Sequence, residues 1–467
     1  MHLIAKQALP LLLGGVEREY GLVYPLPEGK DDYFHWHLTS YLAARLEDEL
    51  AERGQLVRHL FKAGNGFEDC MLDDGGCVSC EGPNVFEISS PETYDARAAL
   101  AYLDDHRGLM ARVLGRCPQL LARSLLCEGP SVLPGFGPRR QGAFELAFHL
   151  NFAVELTREQ GLELCAMIAV LVPLLGCGGL TPRGFSCSPR GFAVRRSLRA
   201  HGGAWRRDEM ISYARDRVFE PGEDNPREGH HLHISCLDSP LTRRTAAFLF
   251  ASCQLLAALV LYGQGPLRGR RLARPGRDHV AWSGCDFAHR CQLQGGAAAD
   301  MRDLQEAMRV GLEEVGRNFA LKPQQEMALQ TILAGLRALR REDEEELSQR
   351  FDGYLKKKIY LALLANEGVS LSFFNRVAMP AARHASRLCS GLPELVSLSP
   401  REAYRLVKGG SLNGDRRKLL ALLGRNRLSP RDIPSLAGLV QRMLTLEIRL
   451  HQVYPHPSPL AEYEGEL

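Results

Sequence analysis

The sequence predicts an α+β protein: a curved antiparallel sheet forming a cradle, packed by helices, with a small domain at its C-terminal end. Three observations lead there. Four segments of the first half read as strands, each carrying acidic, imidazole or amide groups at alternate positions. The second half changes to helical periodicity. A turn-rich stretch at Ser390-Gly391-Leu392-Pro393 then divides 1–392 from a smaller domain, 393–467.

Composition agrees with a soluble globular chain. Its 467 residues can bury a large core, and 45% hydrophobic with 24% charged residues is ordinary for that class. A net charge of +3 is too small to imply nucleic acid or a membrane surface as partner. The 13 cysteines are odd in number and scattered, which reads as reduced thiols in a cytoplasmic protein. The apolar start, 1–13, runs into a strand and lacks a small-residue cleavage site, so it is not read as a signal peptide. The apolar stretch 246–263 is short for a bilayer and is interrupted by Gln254; it reads as a buried helix.

The first strand, Gly15-Val16-Glu17-Arg18-Glu19-Tyr20-Gly21, organises the rest. Glu17 and Glu19 fall on one face, where they repel unless a cation sits between them or water covers both. A divalent ion such as Mg²⁺ suits carboxylate oxygens. A helix follows over 41–50, with Thr39 or Ser40 at its N-cap. Asn65-Gly66 marks a turn, and a short strand then ends in Asp73-Asp74-Gly75, which places a carboxylate at a strand tip. Cys77-Val78-Ser79-Cys80, with Cys70 nearby, has zinc-type spacing but no second Cys-x-x-Cys pair.

A second strand around Glu87 would face the Glu17 pocket if the two strands pair. Glu92 follows a proline and opens a helix over 94–114, as a first-turn acid. A strand over 144–154 places His149 and Asn151 on one face, and 230–235 does the same for His231 and His233. The arginines of 205–217, with Arg268, Arg270, Arg271, Arg274 and Arg277, suit phosphates or a solvated loop. Neither a Walker loop nor a dinucleotide fingerprint is present. Helices follow over 303–315 and 323–339. The acidic run 342–346 reads as solvated helix surface, and 351–360 as further helix with Asp352 and Lys356 four apart. A last helix is expected near 436–450.

In order, these pieces resemble the Pup ligase and Pup deamidase (depupylase) family, relatives of glutamine synthetase. Gly15 to Gly21 resembles the family's Gly-Ile-Glu-x-Glu-Phe-Gly, and Asn65-Gly66 with Leu72-Asp73 its Asn-Gly…Leu-Asp. The stretch 85–92 resembles His-Pro-Glu-Tyr-x-Thr-x-Glu; His149-Leu150-Asn151 resembles His-Glu-Asn; Ser188 with Arg190 resembles Ser-x-Arg. Leu232-His233 with Asp238, Asp303-Leu304-Gln305, and Asp352 with Lys356 resemble later family motifs. The resemblance implies a glutamine synthetase-like catalytic domain over 1–392. It implies ATP and Mg²⁺, with Glu17, Glu19, Glu87, His149 and His233 at the metal, and Ser90, Arg190 and Arg416 at the nucleotide. Asp73 would be the catalytic base.

The implied reaction joins the C-terminal glutamate of a small disordered Pup-like modifier to a lysine of a target protein, through a γ-glutamyl phosphate. Some positions depart from the family. Asp69 and Met71 replace an arginine and an aromatic metal ligand, Val85-Phe86 replaces His-Pro, and Leu150 replaces a glutamate. The stretch 77–84 looks inserted, and the C-terminal tryptophan is absent. A depupylase-like hydrolase, a small-molecule carboxylate–amine ligase and an inactive binding homologue are the alternatives. The short span from Glu19 to Asp73 leaves no room for the long depupylase loop and favours the ligase.

Overall fold

A computed structural model describes residues 6–23, 45–55, 57–62, 68–82, 85–116, 125–127, 147–154, 156–175, 180–181, 184–185, 206–207, 211–218, 227–238, 243–268, 290–292, 298–351, 354, 418 and 421. Several expectations lie outside these residues. They are the Thr39/Ser40 cap, Asn65-Gly66, Ser188 with Arg190, the arginines from Arg270 to Arg277, Asp352 with Lys356, the 390–393 boundary, Arg416 and the final helix.

The main sheet has ten strands: β1 (Gly14–Val23), β2 (Val57–Lys62), β3 (Glu68–Leu72), β4 (Cys77–Gly82), β5 (Val85–Ser89), β6 (Leu125–Cys127), β7 (Ala147–Phe152), β8 (Arg206–Arg207), β9 (Ile211–Val218) and β10 (Arg227–Asp238). They run in the order β8-β9-β10-β7-β1-β5-β4-β3-β2, with β6 beside the end of β1. Each of these pairings is antiparallel. The sheet is open, and β1 lies inside it, bonded on both sides.

Alternation divides the sheet into two faces. Val16 pairs with Leu150 and Leu150 with Ile234, and all three are fully buried. Phe148, Phe152, Ile88 and Leu232 complete this apolar face. Burying each such side chain contributes about 1.5–3 kcal/mol, so this face and not the acidic one drives the sheet to form. The helices that cover it include α1 (Ala96–Arg116) and α3 (Arg243–Leu261), and α2 (Arg158–Leu175) packs on α3. The Phe250 ring of α3 meets Phe152 of β7 at 5.4 Å, tilted 60°. The apolar stretch expected to be a buried helix is α3, buried nearly all round. No described helix is long and apolar enough to cross a membrane.

Gln254, the polar interruption in that stretch, is fully buried. Its side-chain amide donates to the Leu12 carbonyl just before β1, and its oxygen accepts from Gln324 at 2.7 Å. Gln324 also donates to Tyr94 O at 2.7 Å, and Gln325 to Pro10 O at 3.1 Å. The last two glutamines begin α5 (Pro323–Arg341), which follows α4 (Met301–Asn318). The approach to β1 is therefore tied down by side chains more than 200 residues away in sequence.

Boundaries shift in three places. The 94–114 helix begins at Ala96, where Asp95 Oδ1 accepts from Arg97 N–H at 2.8 Å. Glu92 therefore lies outside the helix, exposed, and is not a first-turn acid. The acidic run 342–346 is not one helix surface. Glu342 takes a left-handed conformation (φ 57°) that ends α5, and Asp343 caps α6 (Glu344–Arg350) by accepting from Glu346 N–H at 3.0 Å. Phe351 then closes α6 in extended conformation, so helical register does not continue unbroken through it. The first helix is described over 45–52.

Candidate active site

On the other face the register assembles charge. Glu17 is opposite His149 on β7 and Ser89 on β5, and Glu19 is opposite Glu87. Asn151 is opposite His233 on β10. Opposed residues in an antiparallel pair share a face. Glu17, Glu19, Glu87, His149 and His233 thus meet from four strands.

The contacts are close. His149 Nδ1 lies 3.3 Å from Glu17 Oε2 and 3.7 Å from Glu87 Oε2, and His233 Nδ1 lies 3.8 Å from Glu17 Oε2. The two imidazoles meet edge to face at 4.8 Å. Two donor groups result, Glu17–His149–His233 and Glu19–Glu87–His149, each with its ligand atoms within 4.8 Å of one another. Glu19, Glu87 and His149 are buried. Two ionised carboxylates that close repel by about 3–4 kcal/mol at an effective dielectric near 20, so a cation or a shared proton is called for. His149 Nε2 is buried with no hydrogen-bond partner. Such an orphan is expensive unless something binds it. Three carboxylates and two imidazoles fit a hard divalent ion of the Mg²⁺ or Mn²⁺ kind.

Asn151 has a part that sequence reading did not assign. Its Oδ1 accepts from His233 Nδ1 at 2.8 Å, which fixes the imidazole and leaves Nε2 as its lone-pair nitrogen. The Leu150 departure falls on the opposite, helix-packed face and is fully buried, so it alters core and not the acidic surface.

Ser90 serves the backbone. Its hydroxyl accepts from Val16 N–H at 3.0 Å and donates to Pro91 O at 3.1 Å, which extends the β1–β5 pairing. That commits its one donor to the backbone.

Asp73 is at the tip of the β3–β4 hairpin, as expected, and is exposed. The turn closes with Leu72 N–H donating to Gly76 O at 2.9 Å and Gly75 N–H to Leu72 O at 3.2 Å. Gly75 has φ 89°, the left-handed geometry such a hairpin needs. Across the sheet, Glu17, Ser89, Cys77 and Met71 stand in one row. Two to three strand spacings, about 10–15 Å, therefore separate the Asp73 turn from Glu17. Asp74, not Asp73, is the anchored carboxylate: it accepts from Gly76 N–H at 2.9 Å and from the Tyr102 hydroxyl at 3.0 Å. Nothing local in the sequence marks Tyr102, which sits 28 residues away on α1.

The zinc option fails on backbone geometry. Positions 77 and 80 lie three apart in the regular strand β4, so they fall on opposite faces. Cys77 forms no disulfide among the described residues.

An open antiparallel sheet, backed by helices on one face and lined by carboxylates and imidazoles on the other, is the glutamine synthetase-like architecture. Within that class the chain has the fold of a Pup ligase. The complex between prokaryotic ubiquitin-like protein Pup and its ligase PafA is similar at a TM-score of 0.52 and 14% identity, over 78% of this chain and 72% of that one. PafA in complex with ADP gives a TM-score of 0.45 at 13% identity, over 75% and 73% of the two chains. Glutamate–cysteine ligase from Francisella tularensis, in complex with AMP, gives 0.40 at 11%, over 96% and 99%. No family model matches the sequence, and no curated protein matches it.

Proposed function

We propose that this chain is an ATP-dependent carboxylate–amine ligase of the Pup-ligase type. It would join the C-terminal glutamate of a small disordered modifier to a lysine of a target protein, in the cytoplasm. The observation that carries the reading is the clustered donor set of Glu17, Glu19, Glu87, His149 and His233, three of them buried, on a sheet with the Pup ligase fold. A hydrolase or a small-molecule ligase could use the same scaffold.

In this reading the five side chains hold Mg²⁺, which when bound screens the phosphate oxygens of ATP and favours phosphoryl transfer to a carboxylate. Asn151 keeps His233 turned so that one nitrogen stays a ligand. Asp73, exposed at its hairpin tip, takes a proton from the incoming amine, which needs a carboxylate within reach of the reacting centre. The 10–15 Å or so between Asp73 and Glu17 is about the span of a triphosphate and the carboxylate it activates. Arg190 and Arg416 are proposed to contact the nucleotide by resemblance alone. A disordered modifier would order itself on binding.

The test is incubation of the protein with Mg-ATP and a peptide tail ending in glutamate, with a lysine amine as acceptor. Wild type is expected to form the isopeptide and release phosphate. Asp73→Asn is expected to lose at least about a hundredfold in turnover, the size of a general-base contribution. Equal product from both would remove Asp73 from the mechanism. Product only with a free amino acid as carboxylate would shift the reading to a small-molecule ligase.

A further inference from the structure

We propose that Tyr102 is a positioning residue that holds the turn carrying Asp73 in place from the far side of the hairpin. The inference rests on the reading of Asp73 as the base and deepens it.

The turn has one side-chain anchor among the contacts described above, and it runs through Asp74. One Asp74 oxygen accepts from both Gly76 N–H at 2.9 Å and Tyr102 O–H at 3.0 Å. It joins the hairpin to α1, which is rooted in the core through Ala99, Leu100 and Leu103. The fit at the contact is close. A Cβ at Gly76 would stand 1.9 Å from the phenol oxygen and 2.4 Å from the ring carbon that bears it. Any side chain at Gly76 would therefore drive Tyr102 off Asp74.

Tyr102 is in turn held by its own helix. Its ring stacks on His106 at 3.9 Å with 24° between planes. His106 Nδ1 lies 3.0 Å from the Tyr102 carbonyl, which can only accept, so that nitrogen carries the proton. Burial lowers the affinity of His106 for a second proton, so the ring stacks in its neutral form. Burial and then the Asp74 charge push the Tyr102 phenol far above its ordinary range, so it remains a donor at every working pH. The arrangement is a fixed donor, on a rigid helix, gripping the residue next to the proposed base. Catalysis is sensitive to displacements of this kind, because a base misplaced by a fraction of an ångström transfers its proton poorly.

The experiment compares full-length wild type, Tyr102→Phe, Gly76→Ala and Asp73→Asn. Turnover and the KM for Mg-ATP are measured with a glutamate-ended peptide and a lysine amine, and amide hydrogen exchange is followed over 68–82. Tyr102→Phe keeps the ring and its stack and removes only the hydroxyl. Expected is a fall in kcat of about five- to twentyfold, the loss of one hydrogen bond to a charged group. KM for Mg-ATP stays unchanged, and exchange quickens at Gly75 and Gly76 only. Gly76→Ala gives the same pattern. Loss of turnover in Asp73→Asn without loss in Tyr102→Phe overturns the positioning role alone. Unaltered exchange in Tyr102→Phe overturns the anchor itself. Full turnover in Asp73→Asn overturns the functional reading, and the positioning role with it.

Discussion

His149 belongs to both donor groups, so its loss should be felt twice. Replacing it with alanine is expected to abolish measurable Mn²⁺ binding in a spin-resonance titration. His233→Ala removes one group only and should weaken binding by roughly ten- to a hundredfold, the range seen when a metal site loses a supporting contact. Asn151→Ala should act in the same direction as His233→Ala and more weakly, since it frees the ring without removing it. Away from the site, Glu163 on α2 supplies a pH prediction. It is buried against Gly265, and its Oε1 has no hydrogen-bond partner. Burial raises its carboxyl above the ordinary range, against a smaller opposing pull from Arg268. The folded state therefore holds this proton more tightly than the unfolded chain. The associated stability is complete below the ordinary glutamate value and is lost as pH rises through the folded one. Glu163→Gln should melt above wild type at pH 7 and coincide with it near pH 4, as thermal unfolding at the two values would show.

At the scale of elements, the approach to β1 depends on α3 and α5. Gln254→Leu keeps the volume of α3 but removes the donor to the Leu12 carbonyl and the acceptor for Gln324. The expected cost is about 1–3 kcal/mol, the penalty of a buried polar group left unpaired, read from denaturant unfolding. Exchange should quicken at 12–14 before it does elsewhere in the sheet. The strands around the site were legible to the extent that period-two alternation is legible. Glu17 with Glu19, and His149 with Asn151, announce a face by their spacing. The spacing does not say which strand lies beside which. That β1 stands between β5 and β7 follows from ladders linking residues more than 60 apart, which no local pattern encodes. Ser90 shows the same limit: only the position of Val16 N–H reveals the backbone duty of its hydroxyl. The Asp74–Tyr102 contact was hidden for the same reason, and the Cys77/Cys80 spacing alone could not tell a strand from a knuckle.

For the whole molecule, the two faces of the sheet set opposing demands. The apolar face gathers the helices, and their packing forces carboxylates together on the other side whether or not a cation is present. Ion binding to the folded chain should therefore raise its melting temperature. Saturation at a hundred times the dissociation constant corresponds to about 2.7 kcal/mol. Mg²⁺ or Mn²⁺ should produce the shift, a chelator should reverse it, and Glu17→Gln should blunt it, all visible by calorimetry.

The inside position of β1 carries one more consequence. A strand bonded along both edges cannot swing its side chains apart, so Glu17 and Glu19 have no way to relax by backbone movement. Protein dialysed against a chelator in low-salt buffer is then a loaded spring, easier to melt than the same chain in added salt. Purification without divalent ions should yield material that clumps sooner on warming, and a pinch of magnesium in the storage buffer should cure it.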